Sequence, residues 1–179
     1  MQAPLLIGIT GKARAGKDTV AELIELERNT TKISFASPIK AAVAAIFGET
    51  PAGHKEELIE GFNFSWREAW QTLGTEWGRN LQQDLWLAIV AKEFDAIRQL
   101  DFVEPTCFVI TDVRFDNEAE WIKKQDGIIV EVRRTAADKV AAHSSEEGLT
   151  LRSDFVVAND GTIDELRAKV SQVLHYAEP

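Results

Sequence analysis

A glycine-rich loop between an apolar run and a helix-forming segment constrains this chain more than any other feature of its sequence. The apolar run is Leu5–Thr10, and the loop after it is Gly11-Lys12-Ala13-Arg14-Ala15-Gly16-Lys17-Asp18-Thr19. Glycines permit the tight path of such a loop, its backbone N–H groups surround phosphates, and its lysine reaches the terminal phosphates. The alternative is a glycine turn before an ordinary helix. Because strand, loop, lysine and helix come in the required order, the sequence favours a nucleotide-binding loop.

One position of the loop departs from the general motif. The consensus has Ser or Thr directly after the lysine, where its hydroxyl ligates magnesium, whereas here Asp18 stands at that position and Thr19 follows. A carboxylate holds Mg²⁺ directly or through water. The sequence therefore predicts Mg²⁺ as a cofactor and leaves open which of the two residues ligates it directly.

Four further apolar runs set the fold class; they are Lys32–Phe35, Cys107–Thr111, Ile128–Val132 and Phe155–Val157. Continuously apolar runs are typical of strands covered on both faces, and their alternation with helices predicts an α/β chain with a mainly parallel sheet. The predicted helices are Thr19–Glu27, Ile39–Phe47, Ser65–Leu100, Glu118–Lys124 and Ile163–Tyr176. Because ligands of such sheets bind at the carboxyl ends of the strands, we expect the site at that edge.

Charge and cysteine content narrow the function classes. The 179 residues carry 20 Lys+Arg against 29 Asp+Glu, a formal charge of −9 that argues against a nucleic-acid-coating protein. The one cysteine, Cys107, lies in an apolar run and predicts a buried reduced thiol in a cytoplasmic protein. The N-terminal apolar stretch is too short for a signal peptide or a membrane span.

Charged residues follow the third and fourth predicted strands. Asp112 stands where phosphate-loop proteins place a ligand of magnesium-bound water, and Arg114 is suited to fork onto a phosphate. The alternative is a surface pair with a helix cap from Asp116 or Asn117, and we expect Asn117 to cap. Arg133-Arg134 is suited to close over transferring phosphates or, alternatively, to balance nearby acidic groups.

A tryptophan-rich segment separates the second and third strands. Trp66, Trp70, Leu73 and Trp77 fall at i, i+4, i+7 and i+11, which predicts one face of one helix. Such a face is either an aromatic wall for a base or core packing, and core is favoured for most of these tryptophans. Arg79 needs a partner in this setting, and the sequence leaves open whether the face forms a homodimer.

Several of these segments together resemble the bacteriophage deoxynucleoside monophosphate kinases, over nearly the whole chain. They are Gly16–Thr19, Phe35–Lys40, Gly74-Thr75-Glu76-Trp77-Gly78-Arg79, Asp112–Glu120 and His143–Glu146. The resemblance implies a three-layer P-loop kinase fold with a five-stranded parallel sheet flanked by helices. It further implies a core of residues 1–36, 106–133 and 154–179, a helical substrate-binding insertion over 37–105, and a lid over 134–153. Asp18 in place of Ser or Thr is then a family trait.

The resemblance implies transfer of the γ-phosphoryl group of ATP to a deoxynucleoside 5′-monophosphate for DNA precursor synthesis. Its implied catalytic residues are Lys17, Asp112, Arg133 and Arg134, with Mg²⁺ near Asp18, Thr19 and Asp112. The acceptor-binding residues are Ser37, Lys40, Trp70, Trp77, Arg79, Arg114 and Glu118. The turn Asn159-Asp160-Gly161-Thr162 is first a turn and N-cap, and it resembles the adenine-side loop of related kinases, which adds Asn159, Gly161 and Thr162 to the ATP site.

Two other functions stay open from the sequence. A dephospho-coenzyme A kinase-like enzyme would need a carboxylate such as Asp112 to take the hydroxyl proton, whereas a phosphate acceptor needs no general base. A nucleotide-dependent switch would bind ATP without turnover. The sequence decides neither which bases are accepted nor how deoxyribose is distinguished from ribose, and it predicts a protein of the cytoplasm (the host cytoplasm, if phage-encoded) that binds neither nucleic acid nor membrane.

Overall fold

Five parallel strands form one sheet in the computed structural model, which describes residues 4–51, 53–99, 106–139 and 149–177. The strands lie in the order β2-β3-β1-β4-β5. Their bounds are β1 Leu5–Thr10, β2 Thr30–Ile33, β3 Cys107–Ile110, β4 Ile128–Arg133 and β5 Phe155–Ala158. The predicted parallel sheet is thereby confirmed.

The second strand lies two residues earlier than its apolar run predicts. It begins at Thr30 and ends at Ile33, which pair with Cys107 and Ile110 of β3, so Ser34 and Phe35 lie beyond the strand. Thr30 and Thr31 are β-branched and half-exposed, as an edge strand tolerates, whereas apolar character alone marks only the later residues. This shift places Ser34 at the carboxyl end of the sheet.

Helices cover both faces of the sheet around β1. α1 (Lys17–Glu27) and α6 (Ile163–Ala177) pack with Ile7 and Ile9 in one buried cluster. Gly8 points to the opposite face, where a Cβ atom would lie 2.6 Å from Ile122 of α5 (Asp116–Lys124). Because both faces of β1 are covered, its sequence is continuously apolar rather than alternating.

The chain divides into two units, residues 1–34 with 98–179 and residues 35–97. The first contains the sheet. The second contains α2 (Ser37–Phe47), α3 (Trp66–Gln71), a π-helix (Thr72–Arg79) and most of α4 (Leu85–Arg98). Its own core is formed by Val43, Ile59 and Trp66, with partly buried aromatic rings around them.

The single long helix predicted over Ser65–Leu100 is wrong. Ser65 is the N-cap of α3; its hydroxyl accepts from the N–H of Glu68 while the Glu68 carboxylate accepts from the N–H of Ser65. That reciprocal pair is a capping box. The helix then widens into the π-helix, whose i→i+5 hydrogen bonds place residues on different faces from an α-helix.

No helix in the described part of the chain is both long and apolar enough to cross a membrane.

Candidate active site

The carboxyl ends of all five strands bring polar residues to one edge of the sheet. Four residues come directly after their strands: Gly11 after β1, Ser34 after β2, Arg134 after β4 and Asn159 after β5. Asp112 is the second residue after β3. Parallel strands end at the same edge, and this is where α/β sheets bind ligands. Chemistry-bearing residues of the first unit therefore lie at the edge of the sheet where the sequence predicts the site.

The glycine loop closes tightly against its neighbouring strands. Gly11 has φ 141°, and a Cβ atom there would lie 2.3 Å from the Val132 carbonyl oxygen at the end of β4. Gly16 has φ 98°, and a Cβ atom there would lie 2.2 Å from Nδ2 of Asn159. Only glycine satisfies both the positive φ and the contact. The loop thus follows the path that its sequence predicts.

Lys17 begins α1 directly after the loop. Its Nζ donates to the carbonyl oxygens of Gly11 at 2.8 Å and Lys12 at 3.0 Å, so the ammonium group lies over the loop. Asp18 lies in the first turn of α1 and is exposed, and Thr19 beside it is half-buried. The positive end of the helix dipole and the ammonium group together favour an anion here.

Asp112 lies between the ends of β2 and β1. The residue before it, Thr111, donates its N–H to Ile33, and the residue after it, Val113, donates its N–H to Ile9. Ser34 donates its hydroxyl to Oδ2 of Asp112 at 2.7 Å. Ser34 is absent from the predicted site residues because the apolar run places the end of β2 two residues too late; the register with β3 was the missing signal.

The Glu118 carboxylate caps the start of α5. It is buried, and its Oε2 accepts from the backbone N–H of Arg114 at 2.9 Å and of Phe115 at 3.2 Å. The N-cap of α5 is Phe115, so the expectation that Asn117 caps this helix is wrong. From the third helical position, this carboxylate accepts from the N–H groups of the two residues just before the helix and so fixes the backbone of Arg114.

Arg133 and Arg134 lie at the end of β4 in different surroundings. The guanidinium of Arg133 donates to both carboxylate oxygens of Glu131 at 2.8 Å, and it is mostly exposed. This fork lowers the pKa of Glu131 below its ordinary value. Arg134 is exposed, and its carbonyl accepts from Ala137 in the 3₁₀ helix Thr135–Lys139. The pairing of Arg133 matches the alternative of charge balance that the sequence raised.

The turn after β5 is tied to its surroundings by its side chains. Asn159 Nδ2 donates to the Ala15 carbonyl at 2.8 Å, and Asp160 Oδ1 accepts from the N–H of Thr135 at 2.8 Å. Thr162 caps α6 in a reciprocal pair with Glu165, and Gly161 lies between. The predicted turn and N-cap are confirmed.

The second unit carries the remaining predicted acceptor residues. Lys40 Nζ lies 5.6 Å from the ring centroid of Trp70, within the range of a cation–π interaction. Ser37 is the first residue of α2, and Arg79 ends the π-helix, with a guanidinium N–H donating to the Gln83 carbonyl at 3.2 Å.

The predicted tryptophan stripe is split by the π-helix. Trp66 is 6% exposed whereas Trp77 is 53% exposed, so the four positions do not share one buried face. Trp86, also buried, donates its Nε1–H to the Gly74 carbonyl at 2.7 Å, and its ring lies where a Cβ atom of Gly78 would be. The expectation of core packing holds for Trp66 and Trp86, and Trp77 presents its ring to solvent.

The acidic groups at the sheet edge suit a cation shared with phosphates. In the part of the chain that the structure describes, no three His, Cys, Asp or Glu side chains converge on a metal site. Magnesium is ordinarily held by one or two carboxylates together with substrate phosphates, not by an all-protein cage. Asp112 at the strand end, with Asp18 and Thr19 on α1, supplies oxygen donors of that kind.

The family model that matches the chain is described as deoxynucleotide monophosphate kinase, and it matches residues 5–63 and 53–170. A protein of Acanthamoeba polyphaga mimivirus named for the same activity is 31% identical over 181 residues, which cover 93% of this chain and 94% of that protein. The deoxynucleotide monophosphate kinase of Escherichia phage RB69 is 24% identical, covering 94% of this chain and 99% of its own.

Two solved structures are similar in fold. TT1252 from Thermus thermophilus superposes with a TM-score of 0.54 at 17% identity, covering 98% of both chains. A protein of Chloroflexus aurantiacus gives a TM-score of 0.51 at 14% identity, covering 99% of both. At these identities the likeness concerns the fold alone.

Proposed function

We propose roles for the residues of the sheet edge from one premise: the chain belongs to the deoxynucleotide monophosphate kinase family and has its P-loop kinase fold. It is therefore a kinase that transfers a phosphoryl group to a deoxynucleoside 5′-monophosphate. The observation that carries the detailed proposal is the convergence of the glycine loop, Asp112 and the arginine pair on one edge.

ATP is the proposed donor, held by Gly11–Thr19. The loop amides and Lys17 bind its β- and γ-phosphates, and charged phosphate oxygens replace the two carbonyls that Lys17 contacts. The ammonium group exchanges neutral carbonyl acceptors for negatively charged phosphate oxygens, which adds direct attraction between opposite charges, so this exchange favours the bound state. Asn159, Gly161 and Thr162 form the turn beside the loop and complete the proposed ATP site.

Mg²⁺ is the proposed cofactor, with Asp18, Thr19 and Asp112 as the residues that would hold it. When bound, it neutralises phosphate charge and orients the oxygens of the donor. The hydroxyl of Ser34 fixes one carboxylate oxygen of Asp112, which leaves the orientation of the other oxygen defined. A carboxylate held this way serves as a ligand and is not needed as a base, because the acceptor is already an anion.

The proposed acceptor-binding residues combine positive charge with aromatic rings. Arg114 binds the acceptor phosphate, and Glu118 supports it by fixing the backbone of Arg114.

Lys40 and Arg79 supply further positive charge. Ser37 and the rings of Trp70 and Trp77 contact the nucleoside. Stacking on an aromatic ring is typical of base recognition.

The arginine pair is proposed to neutralise the charge that develops during transfer. Arg134 is exposed at the start of the 3₁₀ segment, and Arg133 first has to exchange Glu131 for a phosphate. An arginine that stabilises a phosphoryl-transfer transition state contributes about 10³–10⁵ in rate. Both residues are catalytic in this proposal.

The test is ADP release from Mg·ATP with the four common deoxynucleoside monophosphates, their ribose counterparts and dephospho-coenzyme A as acceptors. We expect turnover with at least one deoxynucleotide and a loss of about 10²-fold or more in kcat for Lys17→Ala, because the phosphates lose their charged donor. Lys32→Ala is the matched control. It removes an exposed lysine of the edge strand β2 that pairs with Glu25 of α1, and it keeps wild-type kcat. Turnover with dephospho-coenzyme A alone, or equal effects of the two lysine variants, contradicts the proposal.

A further inference from the structure

Two neighbouring side chains in the turn after β5 hold two different parts of the sheet edge. Asn159 donates to the Ala15 carbonyl of the glycine loop. Asp160 accepts from the N–H of Thr135, the residue directly after the arginine pair. The contacts are made to backbone, so they constrain the paths of both segments.

The contact with the loop is close. A Cβ atom on Gly16 would lie 2.2 Å from Nδ2 of Asn159, so the amide group packs directly against the loop backbone. Ala15 is itself 1% exposed, and its N–H donates to the Lys12 carbonyl at 3.2 Å. A movement of the loop around a triphosphate therefore displaces the Asn159 amide group or breaks its hydrogen bond.

A second hydrogen bond supports the contact between this turn and the segment that contains Arg133 and Arg134. The backbone N–H of Asn159 donates to the Arg133 carbonyl at 2.7 Å, which extends the pairing of Arg133 with Ala158. The Asp160 carboxylate then accepts the first N–H of the 3₁₀ helix that starts at Thr135. The backbone on both sides of Arg134 is thus fixed by one turn.

Hydrogen bonds also fix the end of the turn that leads into α6. Thr162 donates its N–H to Glu165 at 2.9 Å, and the Thr162 hydroxyl accepts from the N–H of Glu165 at 3.3 Å. This capping box holds the start of α6 in place through hydrogen bonds that are separate from those of Asn159 with Ala15 and of Asp160 with Thr135.

We propose that Asn159 and Asp160 are positioning residues that couple the glycine loop to the arginine pair. The link runs from Ala15 through the two neighbouring residues to Thr135, entirely through hydrogen-bonded backbone and short side chains. Occupancy of the loop by a triphosphate then fixes the backbone that presents Arg134. Where the test measures turnover, this inference rests on the proposed function.

Kinetics test the link through Asp160→Ala, Asp160→Asn, Asn159→Ala and the double alanine variant. Asp160→Ala lowers kcat about threefold to tenfold and leaves the KM for ATP within about twofold, since it frees the arginine segment and not the loop. Asp160→Asn retains an oxygen acceptor for Thr135 and restores kcat. Asn159→Ala raises the KM for ATP and lowers kcat, and the double variant loses less than the product of the single losses, because both act on one turn.

Glu165→Ala is the matched control at the same turn. It removes the carboxylate that accepts from the Thr162 N–H, leaves the bond from the backbone N–H of residue 165 to the Thr162 hydroxyl, and touches neither contact of the link. It therefore lowers the melting temperature while kcat stays at the wild-type value, whereas a general loosening of the turn would lower both.

Hydrogen exchange tests the link without turnover. The amide of Thr135, followed by NMR, is slowed by Mg·AMP-PNP in the wild-type chain and in Asp160→Asn, and is not slowed in Asn159→Ala. A wild-type chain that turns over no acceptor refutes the proposed function, and the exchange result still decides the link. The link is refuted by nucleotide-dependent protection of Thr135 that persists in Asn159→Ala, by independent effects of the two alanine variants, or by Asp160→Asn behaving as Asp160→Ala.

Discussion

Cys107 shows how burial alone sets the chemistry of one residue. It is the only cysteine of the chain and is fully buried on β3, where loss of hydration raises the pKa of its thiol to about 11. The hydrogen bond with Thr30 and the charge of Arg28 oppose that rise without cancelling it. The prediction of a buried thiol from its apolar neighbours is confirmed.

We predict that this thiol is inert in the folded chain. With a pKa of about 11, roughly one thiol in a thousand is ionised at pH 8, against about a quarter for an ordinary cysteine, and the thiolate is the reactive form. Labelling with a chromogenic disulfide at pH 8 should proceed only as fast as the chain unfolds and become rapid in denaturant. Rapid, complete labelling under native conditions contradicts the prediction.

At the scale of elements, the π-helix decides how the second unit presents its aromatic residues. Trp66, in the α-helical part, is buried, and Trp77, in the π-helical part, is not. The buried Trp86 meets this segment at Gly74 and Gly78. Because glycine has no side chain, the indole approaches the helix backbone closely, and its N–H reaches a carbonyl oxygen.

We predict that Trp86→Phe lowers the free energy of unfolding by about 1–3 kcal/mol, because it leaves a buried carbonyl oxygen without its donor. The measurement is the midpoint of urea unfolding at an unchanged slope. Trp77→Phe is the matched control; its ring is mostly exposed, so its effect stays within about 0.5 kcal/mol. Equal midpoints for the two variants would show that the Trp86 indole N–H is not what stabilises the segment.

At the scale of the whole chain, the Asp116 carboxylate joins two segments of the first unit that are far apart in sequence. Asp116 at the start of α5 accepts from the N–H and hydroxyl of Thr150 and from the N–H of Leu151. The Thr150 hydroxyl, followed by the Leu151 amide, lowers the pKa of this carboxyl below its ordinary value. A group whose pKa is lower in the folded state stabilises the fold above its unfolded pKa, and that contribution is lost as the pH falls through the folded pKa.

We predict that Asp116→Asn lowers the melting temperature at pH 7 and that the difference from wild type shrinks as the pH falls below the ordinary aspartate pKa and through the lowered pKa of the folded chain, because the wild-type carboxyl is then protonated. Thermal unfolding across this range measures it. Asp95→Asn, at an exposed position on α4, is the control and should show no comparable dependence. A difference that stays constant with pH would exclude the charge of Asp116 as its cause.

The sequence by itself determined the parallel α/β sheet and the glycine loop, and it predicts the edge of the sheet at which the site forms. These follow from local information, because apolar runs, glycine spacing and the order of strands and helices are written along the chain. The residues with the strongest local signal, Gly11–Lys17, have the geometry that their spacing predicts.

Only the tertiary structure decided which side chains act on which. The strand register that brings Ser34 to Asp112, the π-helix that separates Trp77 from Trp66, and the turn that joins Ala15 to Thr135 all depend on hydrogen bonds and packing that no single segment specifies. Residue patterns do not encode such pairings. The pairings depend on the register between separate segments and on which hydrogen-bonding groups meet when those segments pack together.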